Sequence, residues 1–199
     1  MRLSFSTRRF GVAVAVLAAG LAFGTTTSSA SAGPDGGQSA AAATALASTL
    51  RAQTEANHLS SQEARSLQGQ VDQVVARTGG TQVAINRVVW DGGDTLIPLP
   101  GEAVARELGA TTLAGDVYGC HYYQFCTYQT QSFTGMVDRM SSCTWHYTPS
   151  WFASYVNNQT PGLRAKFYDH GKHYLAQTME APFHGTTSFG GDTYWIVPC

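Results

Sequence analysis

The sequence predicts a mainly β protein: a small antiparallel β-sandwich or barrel, preceded by an α-helical hairpin. Of the 22 Phe, Trp and Tyr residues, 18 lie within residues 118–199, together with all four cysteines. In the same region, short aromatic and β-branched runs alternate with polar or glycine-containing turns about every 8–12 residues, which is typical of antiparallel sandwiches and barrels. Residues 24–117 contain only one aromatic residue, Trp90. The chain is therefore not one uniform globule.

The first 32 residues have the features of a secretory signal peptide. Arg2, Arg8 and Arg9 precede an apolar run over residues 11–23, which is short for a membrane-spanning helix. Small residues at positions 30–32 then match the pattern before a signal cleavage site. We expect a secreted protein that begins at residue 33 and has no membrane span after cleavage. The export route, Sec or twin-arginine, stays open.

The charge of the mature chain argues against a nucleic-acid partner. Nine basic and thirteen acidic residues follow residue 32, which is a net charge of −4, and the only lysines are Lys166 and Lys172. Binding to a phosphate backbone needs clustered Lys and Arg side chains. We therefore expect no nucleic acid among the partners.

Residues 33–80 are predicted to form a helical segment of two helices. Ser60, followed three residues later by Glu63, is typical of a capping box at the start of the second helix. One face of this helix is apolar, and it consists of Leu67, Val71, Val74 and Val75. The apolar stripe is too thin for the pair to fold alone. The segment is expected either to pack against the β-rich half or to act as a pro-segment.

Residues 81–117 are predicted to form a β-hairpin and a linker. Residues 81–89 are rich in β-branched residues and predict one strand, and residues 91–94 predict a turn. A second strand begins at Thr95 and is cut short by Pro98.

The last region, residues 118–199, is predicted to contain seven short strands with no helix between them. Pro161-Gly162 is a strong turn signal between two of the strands. The predicted strands cover residues 125–130, 136–140, 142–147, 154–157, 164–168, 173–176 and 193–197.

The four cysteines are predicted to form two disulfides, because their number is even and the protein is expected to be exported. Their spacing does not match the close pairs of a zinc site. Three pairings are possible. We favour Cys120–Cys126, which closes a short loop, and Cys143–Cys199, which ties the C-terminus to the sheet.

One stretch of the sequence resembles a known structural motif. Tyr128, Phe133 and Gly135 have the form aromatic-x₄-aromatic-x-Gly, and Ser154 follows where such motifs place a serine. This pattern resembles the first hairpin of a βγ-crystallin Greek-key motif. The resemblance implies that the two aromatic rings pack together, that Gly135 has a backbone conformation unfavourable for a Cβ atom, and that the Ser154 hydroxyl holds the folded hairpin.

The cysteine pair extends the resemblance to a family. Cys120-x₅-Cys126, followed directly by Thr127-Tyr128, resembles the secreted bacterial peptidase-inhibitor family with a βγ-crystallin-like fold. The likeness covers about residues 118–199. It implies a small antiparallel Greek-key β-sandwich, and it implies inhibition of an extracellular protease.

Metal binding and catalysis are not expected. Crystallin-type domains often bind Ca²⁺ ahead of the serine, but residues 149–154 here offer no carboxylate or Asn. No His-Glu-x-x-His or Gly-x-Ser-x-Gly pattern occurs, and every cysteine is expected in a disulfide. We therefore expect no catalytic residues, no metal and no cofactor.

The leading hypothesis is a peptidase inhibitor that acts sterically through a rigid loop. A plain hairpin connection or a solvated loop is the alternative interpretation of each candidate loop. The candidate binding residues are Asn158, Gln159, Thr160, Pro161 and Gly162 in one loop, and His170, Lys172 and His173 in another. The alternative functions are a carbohydrate or cell-wall binding module, which would use exposed rings such as Trp151, Tyr155 or Trp195, and a secreted antimicrobial or toxin-like Greek-key protein.

Overall fold

A computed structural model describes residues 34–109, 115–148 and 151–199. The predicted signal peptide, residues 1–32, lies outside these ranges, as do Pro149 and Ser150 of the stretch considered for Ca²⁺. The helices are α1 (Pro34–Ala56) and α2 (Ser61–Thr78). The strands are β1 (Thr81–Ala84), β2 (Arg87–Trp90), β3 (Gly93–Leu96), β4 (Gln124–Tyr128), β5 (Val137–Met140), β6 (His146–Tyr147), β7 (Ser154–Asn158), β8 (Lys166–Tyr168), β9 (Tyr174–Gln177), β10 (Phe183–Thr186) and β11 (Trp195–Val197).

The strands form two antiparallel sheets, so the expectation of a mainly β fold preceded by two helices is confirmed. The first sheet has the order β1-β2-β3-β5-β4-β7-β10, and the second has the order β6-β11-β8-β9. Strand β6 lies in the second sheet although β5 and β7 lie in the first. Strand β10 lies in the first sheet although β9 and β11 lie in the second. Each sheet therefore receives one strand from between two strands of the other.

Between the two sheets lies a core that is largely aromatic. Phe125 and Phe167 are fully buried there, with their ring centroids 6.0 Å apart. Tyr155, which we considered as an exposed ring for sugar stacking, belongs to the same core and is buried. The concentration of aromatic residues after position 118 thus follows from a thin sandwich that needs large side chains to fill it.

Helix α2 packs on the N-terminal strands of the first sheet. The capping box predicted at its start is present, because the Ser60 hydroxyl accepts from the Glu63 backbone N–H and the Glu63 carboxylate accepts from the Ser60 N–H. The buried apolar side chains of this cluster come from the helix and from the chain around β1–β3, namely Leu67, Val71, Val74, Ile85, Val88, Ile97 and Leu99. The helix therefore helps to form a core.

The prediction of one strand over residues 81–89 is wrong, because the chain turns at Ile85 and Asn86. Asn86 is fully buried at this turn, and its side-chain amide donates to the carbonyl oxygens of Ile97 (3.0 Å) and Arg106 (2.9 Å). These long-range hydrogen bonds favour a turn within an apolar run. The next strand, β3, pairs with β5, so the N-terminal strands and the later ones share one sheet.

Two further differences concern short strands. The predicted strand over residues 142–147 is limited to β6, and β10 was not predicted. β10 consists of Phe183, His184, Gly185 and Thr186, and it pairs with β7 over these four residues. A run with one aromatic residue and a glycine has little strand signal of its own, so pairing with β7 determines its conformation. No helix within the described residues is long and apolar enough to cross a membrane.

The two disulfides join Cys120 to Cys126 and Cys143 to Cys199, with Cα atoms 5.9 and 5.2 Å apart. This is the favoured pairing of the three. The second disulfide connects the last residue to the segment before β6. The first closes a loop at the start of β4, and we call residues 120–126 the disulfide loop.

Candidate functional site

The connection between β4 and β5 forms a folded hairpin beside the disulfide loop. The rings of Tyr128 and Phe133 pack edge to face with centroids 5.8 Å apart. Phe133 and Gly135 have positive φ angles of 58° and 80°, and a Cβ on Gly135 would lie 2.9 Å from the Gln129 side-chain oxygen. The hydroxyl of Ser154, on β7, donates to the carbonyl oxygen of Thr130 (2.6 Å). These four predicted residues therefore meet in one place.

This hairpin positions the chain just before the disulfide loop. The ring of Tyr118 stacks on Phe133 with centroids 4.3 Å apart and planes within 6° of parallel. The buried Tyr128 hydroxyl donates to the Tyr118 carbonyl oxygen (3.1 Å). Tyr118 itself has a positive φ of 51°, which is unfavourable for a large side chain. Contacts on both its ring and its carbonyl hold this conformation.

Two tyrosines project from the disulfide loop. The side chains of Tyr122 and Tyr123 are 45% and 63% exposed, and their ring centroids lie 4.1 Å apart. Tyr123 has a positive φ of 70°. Its backbone N–H donates to the carbonyl oxygen of Asn158 (2.8 Å), on the neighbouring strand. We call Tyr122 and Tyr123 the tyrosine tip.

The Asn158 side chain holds the disulfide loop, and the neighbouring Gln159 side chain bonds other parts of the chain. The Asn158 side-chain amide donates to the carbonyl oxygens of Cys120 (3.0 Å) and Gly115 (2.8 Å). The Gln159 amide donates to the Asn157 side-chain oxygen (2.9 Å) and to the Pro198 carbonyl oxygen. Both residues are buried. The sequence suggested both as binding residues. They are not available for binding, because their amides satisfy buried carbonyl groups.

The remaining residues of that candidate loop form an exposed turn. Thr160, Pro161 and Gly162 are all exposed, and Gly162 has a φ of 93°. The Gly162 N–H donates to the Ala181 carbonyl oxygen (3.2 Å). No disulfide closes this turn, and it carries no aromatic side chain.

An ionic network around the buried Arg139 holds His121, which follows Cys120 in the disulfide loop. Arg139 Nη1 lies 2.8 Å from His121 Nε2, and His121 Nδ1 lies 2.9 Å from an Asp116 carboxylate oxygen. A guanidinium only donates, so the Arg139 contact requires the lone pair on Nε2, although Glu107 Oε2 also lies 3.3 Å from this nitrogen. The ring proton is then on Nδ1, where it donates to Asp116. Arg139 is 1% exposed, and its Nε donates to Asp94 (2.8 Å). The loop is thus connected to both β3 and β5.

The charge of Arg139 is strongly favoured in this network. Burial by itself would lower its pKa, but the hydrogen bonds and negative charges of Asp94 and Glu107 outweigh burial and raise the pKa. Arg87 joins the network through its Nε, which donates to Asp94 (2.6 Å). Removing one partner of a buried ion pair strongly destabilises a protein, because the other charge is left without a partner. The network is therefore a rigid base for the loop.

Neither of the two most buried histidines is placed to activate a serine. Both ring nitrogens of His121 have partners in the network. His146 Nε2 lies 3.0 Å from the Ser142 backbone carbonyl oxygen, which can only accept, so this nitrogen carries the proton and cannot take one from the Ser142 hydroxyl at 3.2 Å. Within the described ranges, no group of three His, Cys, Asp or Glu residues has the geometry of a metal site.

The second candidate loop is a tight turn between β8 and β9. The Asp169 carboxylate accepts from the His173 backbone N–H (2.8 Å) and lies 3.0 Å from His173 Nδ1. These contacts, the backbone hydrogen bond foremost, lower the pKa of Asp169. His170 packs edge to face on Tyr194, with centroids 5.2 Å apart. Lys172 lies over the second sheet, with Nζ 4.7 Å and 4.4 Å from the ring centroids of Trp145 and Trp195.

The tyrosine tip is not among the binding residues predicted from the sequence, although a signal for it is present there. Tyr122 and Tyr123 lie between two cysteines that are six residues apart, so a disulfide between these cysteines places two aromatic residues at the centre of a short loop. The comparisons with protein-family models, curated proteins and solved structures found no match to this chain. Function is therefore inferred from the geometry of the described residues.

Proposed function

We propose that this chain is a secreted protein-binding module of the peptidase-inhibitor type, and that the disulfide loop is the segment that contacts the protease. The observation that carries the proposal is the exposed tyrosine tip on a loop that is fixed from several sides. The Cys120–Cys126 disulfide closes the loop, Asn158 bonds its backbone, and His121 anchors it to Arg139.

Rigidity matters because binding must otherwise order the loop. Each rotamer-rich side chain that is immobilised at an interface costs about 0.5–1.5 kcal/mol. Tyrosines have few rotatable bonds and a large contact area, and they are frequent among the residues that dominate binding energy. A loop whose backbone is already fixed, with two adjacent tyrosines exposed, therefore suits a protein partner.

We further propose that the sandwich is a βγ-crystallin-like Greek-key domain, with the helices and β1–β3 added to it. Two observations support this assignment. The exchange of β6 and β10 between the sheets makes β4–β7 and β8–β11 two four-strand units of the same form. The folded hairpin is held by Ser154, as the resemblance implies. The tyrosine tip precedes the first strand of the first unit.

The antimicrobial alternative has less support. Proteins that attack membranes usually present a basic amphipathic surface, and the chain after residue 32 has a net charge of −4. The exposed turn over residues 160–162 is a second loop that a protease could contact, and it serves as a comparison in the experiment.

The first prediction concerns inhibition by the tyrosine tip. The disulfide-bonded chain from residue 33 onward is incubated at micromolar concentration with a panel of secreted metalloproteases and serine proteases, and residual peptidase activity is measured. For a protease that is inhibited, Tyr122→Ala and Tyr123→Ala should each raise the inhibition constant at least about tenfold, because loss of a central aromatic contact commonly removes more than about 1.4 kcal/mol.

The matched control is Tyr174→Ala on the second sheet, because Tyr174 is 56% exposed and so resembles the tip residues. This variant and Pro161→Ala should inhibit as the parent does. If none of the proteases is inhibited, the proposal is wrong. If Pro161→Ala reduces inhibition and the tip variants do not, the contact lies in the 160–162 turn and the assignment of the disulfide loop is wrong.

A further inference from the structure

We infer that the outer face of the second sheet is a separate binding site, and that its ligand is an anionic polysaccharide that carries carboxylate groups. We call this surface the aromatic face. It consists of the rings of Trp145, Tyr147, Tyr168, Tyr174 and Trp195, with the side chains of Lys166 and Lys172.

Four of the rings lie in one row across the whole sheet. Tyr147 pairs with Trp195, Trp195 pairs with Tyr168, and Tyr168 pairs with Tyr174 in the strand register. Neighbouring strands are separated by about 4.8 Å, so the row is roughly 14 Å long. This length suits a short stretch of an extended chain of sugar rings.

Contacts between the rings hold them in place. The centroids of Tyr147 and Trp195 are 4.9 Å apart, and those of Tyr168 and Tyr174 are 6.0 Å apart. Trp145, just before β6, adds a fifth ring with its centroid 4.6 Å from that of Tyr168. The rings therefore support one another, and the Lys172 ammonium group lies over the faces of Trp145 and Trp195.

The core of the protein does not require these rings. In β8 the fully buried Phe167 points inward and Tyr168 outward, and in β11 the fully buried Ile196 points inward and Trp195 outward. The exposed face of an antiparallel sheet is usually polar. Here Trp145, Tyr147 and Tyr174 are exposed instead. A cluster of exposed aromatic residues commonly marks a binding surface, and aromatic rings stack well on the apolar face of a pyranose.

Charge identifies the kind of polysaccharide. Lys166 and Lys172 are the only lysines in the chain, and both lie on the aromatic face. Neither forms an ion pair with a carboxylate in the part of the chain that the structure describes. The nearest acidic residue of the turn, Asp169, is occupied by His173. Two ammonium groups beside a cluster of aromatic rings therefore match a sugar that carries a carboxylate.

A small cleft adjoins one end of the row. It has a volume of about 180 Å³, and Trp145 and Tyr147 form part of its wall together with Trp90 and Asp91. Pockets that enclose a whole small ligand usually measure roughly 300–1,000 Å³. The cleft is thus sized for a substituent or a chain end, while the rest of the ligand lies along the aromatic face.

The test compares polysaccharides that differ mainly in charge. The disulfide-bonded chain is titrated with polygalacturonate, alginate and hyaluronate, and with methyl-esterified polygalacturonate as the uncharged match. Tryptophan fluorescence and affinity electrophoresis report binding at low and high salt. At least one carboxylated polymer should bind, the methyl ester should bind at least about tenfold more weakly than polygalacturonate if the latter binds, and salt should weaken the binding.

Variants locate the site. Tyr174→Ala and Lys172→Gln should each weaken polysaccharide binding at least about fivefold. Lys166→Gln should reduce the salt dependence of polysaccharide binding. Tyr123→Ala, on the tyrosine tip, is the control and should bind as the parent does. Circular dichroism and the thermal midpoint of each variant show whether it is folded.

Three results would overturn the inference. They are no binding of any carboxylated polymer, equal binding of the methyl ester, or equal binding of single-stranded DNA, which would show a general affinity for polyanions. None of these results bears on protease inhibition, because that proposal depends on the disulfide loop.

Discussion

At the scale of single residues, two buried polar side chains determine the position of the disulfide loop. The Tyr128 hydroxyl holds the Tyr118 carbonyl oxygen just before the loop, and the Asn158 amide holds the Cys120 carbonyl oxygen within it. Removing a buried donor leaves its acceptor unsatisfied, at roughly 1–3 kcal/mol. Both side chains therefore affect stability. They also affect the geometry of the tyrosine tip, although neither residue is part of it.

Tyr128 also makes stability depend on alkaline pH. Burial raises the pKa of its phenol well above the usual value, and the positive charge of Arg139 opposes this only in part. The folded state thus favours the neutral phenol. Its contribution to stability is fully present below about pH 10, where an unfolded tyrosine titrates, and is lost as the pH rises toward the folded-state pKa.

We predict that ultraviolet titration will show Tyr128 ionising only as the protein unfolds. Tyr128→Phe should remove the late step assigned to this residue and flatten the alkaline fall in stability. Tyr155, whose pKa burial also raises, should keep a delayed step in that variant. An alkaline unfolding curve of unchanged steepness in Tyr128→Phe would contradict the prediction.

At the scale of elements, the β4–β5 hairpin depends on a contact from a third strand. The Ser154 side chain is fully buried, and its hydroxyl holds the Thr130 carbonyl oxygen. Phe133 and Gly135 give the hairpin its bend through positive φ angles. The local sequence allows the bend, and β7 stabilises it.

Ser154→Ala should lower the free energy of unfolding by roughly 1–3 kcal/mol, because the Thr130 carbonyl loses its partner. Urea unfolding followed by fluorescence would measure the change. Ser132→Ala is the control, since Ser132 is exposed on the same hairpin and should change stability by less than about 0.5 kcal/mol. Equal effects of the two substitutions would show that the Ser154 contact does not stabilise the hairpin.

At the scale of the whole molecule, the two disulfides have different consequences. Cys143–Cys199 joins residues 56 positions apart, whereas Cys120–Cys126 joins residues six apart. In the loop-entropy model, a disulfide stabilises more when it closes a longer loop, here about 4 kcal/mol against about 2 kcal/mol. The long disulfide constrains the sandwich, and the short one constrains the tyrosine tip.

We therefore predict a separation of stability from inhibition. The double substitution Cys143→Ala and Cys199→Ala should lower the unfolding free energy more, yet leave inhibition unchanged while the protein is folded. The double substitution Cys120→Ala and Cys126→Ala should lower stability less but weaken inhibition. Urea unfolding and inhibition constants, measured on the same preparations, test both parts. The reverse order of effects on inhibition would exclude the disulfide loop as the contact.

The helices and β1–β3 belong to the same body as the rest of the first sheet. β3 pairs with β5, and α2 covers the apolar side chains around β1–β3. The stretch almost without aromatic residues is thus explained by a core of aliphatic side chains, which is distinct from the aromatic core between the sheets.

The sequence by itself determined the features that depend on neighbours along the chain. These are the mainly β class, the capping box at Ser60, most of the strands after residue 118 and the short Cys120–Cys126 pairing. Each has a local cause, such as residue alternation, a cap, a turn or a short spacing.

Only the tertiary structure decided the features that depend on strand register and burial. Asn86 turns the chain and Asn158 supports a loop because distant carbonyl groups need their amides. The row from Tyr147 to Tyr174 exists because four strands, which span residues 146–197, align in one register. A local pattern cannot specify which strands become neighbours, since pairing is selected by the free energy of the whole sheet.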